Sequence, residues 1–314
     1  HNRTVTEWAG LISAPLVDPV MTDLTPPRRL RDRIDDDEIM ALPGAYDALS
    51  ARLVEQAGFD AVFTSGFSIA ATQLGMPDMG LLTMPENVAQ VEAITDSIDV
   101  PLVADMDTGY GSALNVRRAM NECVDAGVAG VILEDQQWPK KCGHMDEKRL
   151  VSTEEHVRRI EAAADVRAER DWEFVVIGRT DARESNGIEA AIERGRAYER
   201  AGADVVFVEA PESRAELARI AAEIDAPTFA NMIEGGKTPF LPAEELDSMG
   251  FDIVVYPLTA LFSVTEALQS AYGHLAENGT TAGVSGVDFD DFEDVIDAEG
   301  YRDVEQRYVD DDSV

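Results

Sequence analysis

The sequence predicts an α/β fold, eight parallel strands closed into a (β/α)8 barrel, and three observations carry that expectation. Eight short apolar runs alternate with amphipathic stretches, those stretches repeatedly end in Gly, and polar residues collect just beyond the runs. The runs are Ile39–Leu42, Ala61–Thr64, Pro101–Ala104, Gly130–Leu133, Phe174–Ile177, Val205–Val208, Thr228–Ala230 and Ile253–Tyr256. Each has the length and composition of a strand buried on both faces. Between them, Tyr46–Ala57, Asn115–Ala126, Thr153–Glu169, Ile188–Ala201, Arg214–Ile224 and Ala243–Met249 read as helices. The phrases Glu55-Gln-Ala-Gly58, Val124-Asp-Ala-Gly127, Arg200-Ala-Gly202 and Ser248-Met-Gly250 place a glycine where a helix closes and the next strand begins. Strands alternating with helices make a parallel sheet, and eight is the strand number of a TIM-type barrel. A doubly wound sheet is the alternative, but the Gly-rich phosphate turn expected after its first strand is missing here.

The barrel is expected over residues 39–282, after an N-terminal extension of residues 1–38. Residues 1–20 lack periodicity, and Met21 is a candidate native start. The acidic segment 283–314 carries Phe289, Phe292, Tyr301 and Tyr308 at spacings that suit packing on the barrel or on a neighbouring subunit.

Charge is the outlier of the composition. The 314 residues hold 61 acidic and 26 basic side chains, a formal net charge of −35. The acids are spread along the whole chain, and lysine occurs only at Lys140, Lys141, Lys148 and Lys237. Such self-repulsion destabilises a folded protein unless it is screened, and at molar salt the Debye length falls to about 3 Å. A halophile's cytoplasmic protein is the expectation. The same charge disfavours nucleic acid and anionic membrane as partners, and no apolar run is long enough to span a bilayer. Two cysteines, Cys123 and Cys142, give no disulfide framework. Cys123 lies in a helical run and reads as core.

In such a barrel the chemistry sits at the C-terminal ends of the strands. Past the runs stand Ser65-Gly66, Asp105-Met-Asp107, Glu134-Asp135, Arg179-Thr-Asp181, Glu209 and Asn231. Alternate residues of an extended segment share a face, so Asp105 and Asp107 are expected side by side. Two adjacent carboxylates need a cation, and an oxygen-only donor set fits Mg²⁺, which keeps several waters. Glu134 and Asp78, the latter from Gly75-Met-Pro-Asp78, complete the expected shell. The competing reading makes Asp107 a cap of the Gly-rich turn. In Lys140-Lys-Cys-Gly-His144, cationic neighbours favour the thiolate of Cys142, on a loop suited to proton transfer at carbon. A single Cys/His pair is a poor zinc site. The segment Ala230-Asn-Met-Ile-Glu-Gly-Gly-Lys-Thr-Pro239 offers Asn231, Thr238 and backbone amides to a carboxylate.

Together, Ser65-Gly66 with Leu74-Gly-Met-Pro-Asp78, Asp105-x-Asp-x-Gly-Tyr-Gly111, Glu134-Asp-Gln and Lys140-Lys-Cys-Gly-His144 resemble the isocitrate lyase / phosphoenolpyruvate mutase superfamily. The resemblance covers about Leu42 to Phe262, and the cysteine string is similar to that of the lyase branch. It implies a barrel whose eighth helix is exchanged between subunits, a homo-oligomer taken as a tetramer, and Mg²⁺ with Mn²⁺ as a substitute. It implies Asp105, Asp107, Glu134 and Asp78 as the metal set, and Ser65, Gly66, Phe67, Asp105, Arg179, Asn231 and Thr259 as substrate-binding residues. Cys142, His144, Arg179 and Glu209 take the catalytic roles, with Cys142 protonating the aci-carboxylate left by C–C cleavage.

The chain lacks the large insertions of long isocitrate lyases. After its eighth run it has Pro257-Leu-Thr-Ala-Leu-Phe262 in place of their Ser/Asn-rich motif. In these respects it is similar to methylisocitrate and dimethylmalate lyases. The function expected from sequence is cleavage of isocitrate to succinate and glyoxylate, as in a glyoxylate bypass. Methylisocitrate cleavage to succinate and pyruvate is the first alternative, and an oxaloacetate-type decarboxylase the second. A catalytically dead barrel would have lost one of Asp105, Asp107, Cys142 or Arg179, and all four are present.

Overall fold

Parity along the strands decides what faces the barrel axis. In the computed structural model, which describes residues 24–143 and 148–309, the strands are β1 (Met40–Ala45), β2 (Val62–Thr64), β3 (Leu102–Asp105), β4 (Gly130–Glu134), β5 (Val175–Thr180), β6 (Val205–Val208), β7 (Thr228–Asn231) and β8 (Ile253–Tyr256). All pair in parallel in sequence order, and β8 returns to β1 to close the barrel. Met40, Leu42, Phe63, Val103, Ile132, Ile177, Phe207, Phe229 and Val255 form one buried cluster, the barrel interior. Their neighbours of opposite parity, such as Val131, Leu133 and Val176, belong to a second cluster beneath the outer helices. This alternation is the two-residue period of a strand read on both of its buried faces.

The helices occupy the places expected from their apolar spacing, and Gly127 and Gly202 close two of them at φ 75° and 104°. The helix Pro26–Ile34 lies ahead of the expected barrel boundary, with Pro at its first turn. Its Leu30 and Ile34 join the barrel-interior cluster. A side chain at Gly130 would meet Leu30 Cδ2 at 3.0 Å, so the helix closes the barrel at the N-terminal ends of the strands.

The first compact unit runs to Ala260, and a second begins at Leu261. The second unit holds most of the helix Thr259–Asn278, followed by helices Phe289–Val295 and Ala298–Gln306. Asp288 and Asp297 cap the last two, and Arg302 pairs with Glu293 at 2.5 Å. Among the described residues, no helix is long and apolar enough to cross a membrane.

Candidate active site

The inward parity that fills the barrel with apolar side chains places polar ones at its C-terminal rim. Two residues beyond Val103 stands Asp105, beyond Ile132 Glu134, beyond Ile177 Arg179, beyond Phe207 Glu209, and beyond Phe229 Asn231. These five line one small cavity of about 40 Å³, together with Ser65, Phe67, Asp78, Lys140, Cys142 and Gly143.

Arg179 is the hub of one half. Its Nε and Nη2 each donate to Asp181 at 3.0 Å, a bidentate pair. Nη2 also lies 3.2 Å from Glu209 Oε2 and 3.5 Å from Glu134 Oε2. Burial alone would depress the guanidinium, but Asp181, Glu209 and Glu134 override it and hold it well above its usual range. Asn231 Nδ2 reaches both Glu209 oxygens, at 3.4 and 3.3 Å. Asp135 fixes this half from behind. It accepts from Thr180 Oγ1, Asp181 N, Tyr198 OH and Arg194 Nη1 at 2.7 to 2.9 Å, so it is a scaffold residue.

The other half is built on acids. Strand β3 ends at Asp105, and Asp107 sits beyond it in the left-handed region at φ 51°. The two are joined by the turn and not by strand alternation: Asp107 N donates to Asp105 Oδ1 at 3.0 Å. Asp105 Oδ2 accepts Gly66 N at 3.1 Å, and Asn87 Nδ2 holds the Asp105 carbonyl at 2.8 Å. Lys140 Nζ lies 2.6 Å from Asp78 Oδ1 and 2.5 Å from Asp107 Oδ1. Burial raises the Asp107 carboxyl to about 7, against the pull of Lys140 and with Asp105 and Asp78 adding to the rise. Glu134 is raised well above its usual value, again chiefly by burial.

Among the described residues, no three acid, His or Cys side chains close on one point as a ready-made metal cage. Mg²⁺ does not require one, because it binds through one or two carboxylates and keeps its waters. The unmet demand is visible. Glu134 Oε1 and both Asp107 oxygens are buried without a hydrogen bond, the Lys140 ion pair at Asp107 Oδ1 aside. Buried anionic oxygens in this state call for a cation, so Asp105, Asp107, Glu134 and Asp78 fit a hard divalent ion.

Cys142 is half-buried at the cavity lip, and its amide donates to the Asp78 carbonyl at 3.2 Å. Gln136 holds the Lys141 backbone at both ends, at 2.9 and 2.8 Å. Gly143 is pressed onto the hub, where a Cβ would lie 2.4 Å from Arg179 Nη2 and 2.6 Å from Glu209 Cγ. Only glycine allows that approach. Ser65 and Phe67 line the cavity, whereas Gly66 is not among the lining residues and its amide donates to Asp105. Thr259, expected to bind substrate, is exposed and donates to Glu234 Oε1 instead of lining the cavity. His144 lies outside the described residues.

The sequence puts Asp181 on the rim, and Lys140 and Gln136 within motifs, but assigns them no role in the site, and it does not single out Asn87 or Lys148. Asp181 was within reach, since it follows Arg179 by two residues at a strand end. The partners of Lys140 and Asn87 come from distant segments, and no local spacing announces them.

The family model for phosphoenolpyruvate phosphomutase matches residues 30–276. A 2,3-dimethylmalate lyase of Eubacterium barkeri is 45% identical over 283 residues, covering 90% of this chain and 97% of the relative. A 2-methylisocitrate lyase of Bacillus subtilis (strain 168) is 40% identical, covering 80% of this chain and 82% of the relative. The structure of an oxaloacetate acetylhydrolase with 3,3-difluorooxalacetate superposes with a TM-score of 0.87 at 33% identity, over 90% of this chain and 97% of the other. With the strand-end acids, the Arg179 hub and the cysteine loop gathered on one cavity, the chain belongs to the phosphoenolpyruvate mutase / isocitrate lyase superfamily.

Proposed function

We propose that this protein is a carbon–carbon lyase that splits a 2-hydroxy di- or tricarboxylate into a 2-oxo acid and a simpler carboxylate. The observation that carries this reading is the placement of Cys142 on the same cavity as Asp105, Glu134, Arg179 and Glu209. A metal held by Asp105, Asp107, Glu134 and Asp78 would supply Lewis-acid stabilisation of the developing oxyanion.

The protein's own residues do the rest. Arg179 orients a substrate carboxylate, and Asn231 and Glu209 bound the departing half. As the C–C bond breaks, its electron pair passes to the carbon next to the leaving carboxylate, and the hydroxyl gives its proton to a carboxylate of the cavity lining as it becomes the carbonyl. Cys142 delivers a proton to that carbon from the open lip of the cavity. The loop pressed onto Arg179 through Gly143 excludes water, which favours charge stabilisation by fixed dipoles.

The lining also speaks to substrate. Beside the cations Lys140, Lys141 and Arg179, the lining includes an apolar wall of Phe63, Phe229, Ile233, Val255 and Leu258. That wall suits an alkyl-bearing substrate such as methylisocitrate or 2,3-dimethylmalate, and the isocitrate expected from sequence lacks the methyl group of methylisocitrate. A methyl group is worth about 1–3 kcal/mol of discrimination in such a pocket. A product assay with Mg²⁺ in molar KCl separates the readings. Pyruvate from the methylated acids supports the wall as a methyl site, whereas glyoxylate from isocitrate restores the glyoxylate-bypass role. If none of the three is cleaved and oxaloacetate is consumed, the lyase reading gives way to oxaloacetate chemistry, which the similarity to the acetylhydrolase supports.

The same proposal includes a homo-oligomer, a tetramer with the helix Thr259–Asn278 exchanged between subunits. Leu268, Tyr272 and Leu275 are exposed at helical spacing on that helix, which supports burial against another copy. Light scattering in molar KCl tests it, and a monomer would sink it.

A further inference from the structure

Lys148 lies outside the cavity lining, yet its side chain is only 2% exposed. A buried ammonium persists where acceptors satisfy it, and among the described residues Lys148 has three. Its Nζ donates to the Gly143 carbonyl, lies 2.9 Å from Glu184 Oε2 and 3.3 Å from Asp181 Oδ1. Burial would depress it, but Asp181 and Glu209 override that effect and hold it above its usual value. Asp181 is the carboxylate that grips Arg179 with two hydrogen bonds. One ammonium therefore ties the backbone of the cysteine loop to the acid that orients the hub arginine.

Among the described residues, the other anchors of the loop lie before Gly143. Lys140 is held by Asp78 and Asp107, the Lys141 backbone by Gln136, and the Cys142 amide by the Asp78 carbonyl. Lys148 supplies the anchor at Gly143, the residue whose missing side chain permits contact with Arg179 and Glu209. We infer that Lys148 is a positioning residue, a latch that holds the Cys142–Gly143 segment closed on the Arg179–Asp181 pair so that the thiol faces the reacting carbon. This role rests on the lyase reading for its purpose, but not for its detection.

The test is the rate at which iodoacetamide alkylates Cys142 in the full-length protein, without substrate, in molar KCl. Cys123 is 2% exposed and serves as the unreactive internal control. With a charge-assisted hydrogen bond lost, Lys148→Met is expected to speed Cys142 alkylation about tenfold. On the substrate that the product assay identifies, it should lower kcat more than it raises KM. Lys148→Arg keeps the charge and the donors, and is expected to recover most of the protection and turnover. A thiol in Lys148→Met that reacts at the wild-type rate overturns the latch. If circular dichroism shows that Lys148→Met does not fold, Glu184→Gln decides. It weakens one arm of the latch and should speed alkylation severalfold, and an unchanged rate overturns the inference. Failure of the wild-type protein to cleave any offered acid would count against the lyase reading alone, because alkylation is read without turnover.

Discussion

Lys140 Nζ stands 2.5 Å from Asp107 Oδ1, and both side chains are almost wholly buried. The pair is incomplete as electrostatics: one ammonium serves Asp107 and Asp78, with Asp105 close behind, and the Asp107 carboxyl rises to about 7. A raised carboxyl means that the folded protein binds a proton the unfolded chain releases. Between the unfolded carboxylate value, about 3.9, and 7, this group therefore costs stability as pH rises.

A divalent cation should remove that cost. At pH 7.5, saturating Mg²⁺ is expected to raise the thermal midpoint, with about 2.7 kcal/mol of stabilisation at a hundredfold excess over Kd. Asp107→Asn should lose most of the response. A midpoint indifferent to Mg²⁺ in the wild type would remove these acids from the metal proposal.

Cys142→Ser should fold normally, because the side chain is half-buried at the cavity lip. General acid catalysis by a positioned group is worth about 10²–10⁴-fold, so kcat should fall by that factor with little change in KM. Wild-type turnover in this variant would reassign the proton donor.

His156 offers a stability prediction free of the active site. It is fully buried against Tyr198, ring centroids 4.5 Å apart, and burial depresses its imidazole to about 3, with Arg159 and Arg194 adding to the effect. The unfolded chain takes up a proton near pH 6.5 that the folded one refuses. The stability contributed by the neutral ring is thus complete above 6.5 and is lost as pH falls from there towards 3. At pH 5 the loss is about 2 kcal/mol. Denaturant midpoints between pH 7 and 5 should fall less in His156→Phe than in the wild type, and equal slopes would sink the assignment.

Salt should govern the fold as a whole. Diluting KCl from molar to tens of millimolar lengthens the Debye screening distance from about 3 Å to beyond 10 Å and exposes a charge of −35 to itself. Circular dichroism is expected to show unfolding on dilution, because exposed pairs such as Arg219–Glu189 contribute little each against the repulsion. Full structure at low salt would refute the halophile expectation.

The barrel was legible because a parallel strand buried on both faces leaves an unmixed apolar run, and all eight runs became strands. What escaped was hidden by local chemistry. Strand β1 continues to Ala45, three residues past its run, through Pro43-Gly44, which reads as a break. Gly44 is there because Pro257 packs against it, where a Cβ would fall 2.3 Å from the Pro257 carbonyl oxygen. The helix Met84–Thr95 buries Asn87 alongside Val91 and Ile94, so its apolar period is interrupted by a polar residue that serves Asp105 and Tyr110. In the site, Asp105, Glu134, Arg179, Glu209 and Asn231 were legible from position alone. The turn that joins Asp107 to Asp105, the Lys140 bridge and the displacement of Thr259 depend on contacts that no spacing encodes.

The scarcity of lysine has a practical side. Of the four, Lys140 and Lys148 are buried, whereas Lys141 and Lys237 are half-buried, one lining the cavity and the other on the loop after β7. Apart from the terminal amine, amine-directed labels and coupling resins therefore meet this protein at Lys141 on the cavity mouth and at Lys237 on the loop after β7. A dye or a surface attached at Lys141 would report on the mouth, orient the molecule by it, and block it.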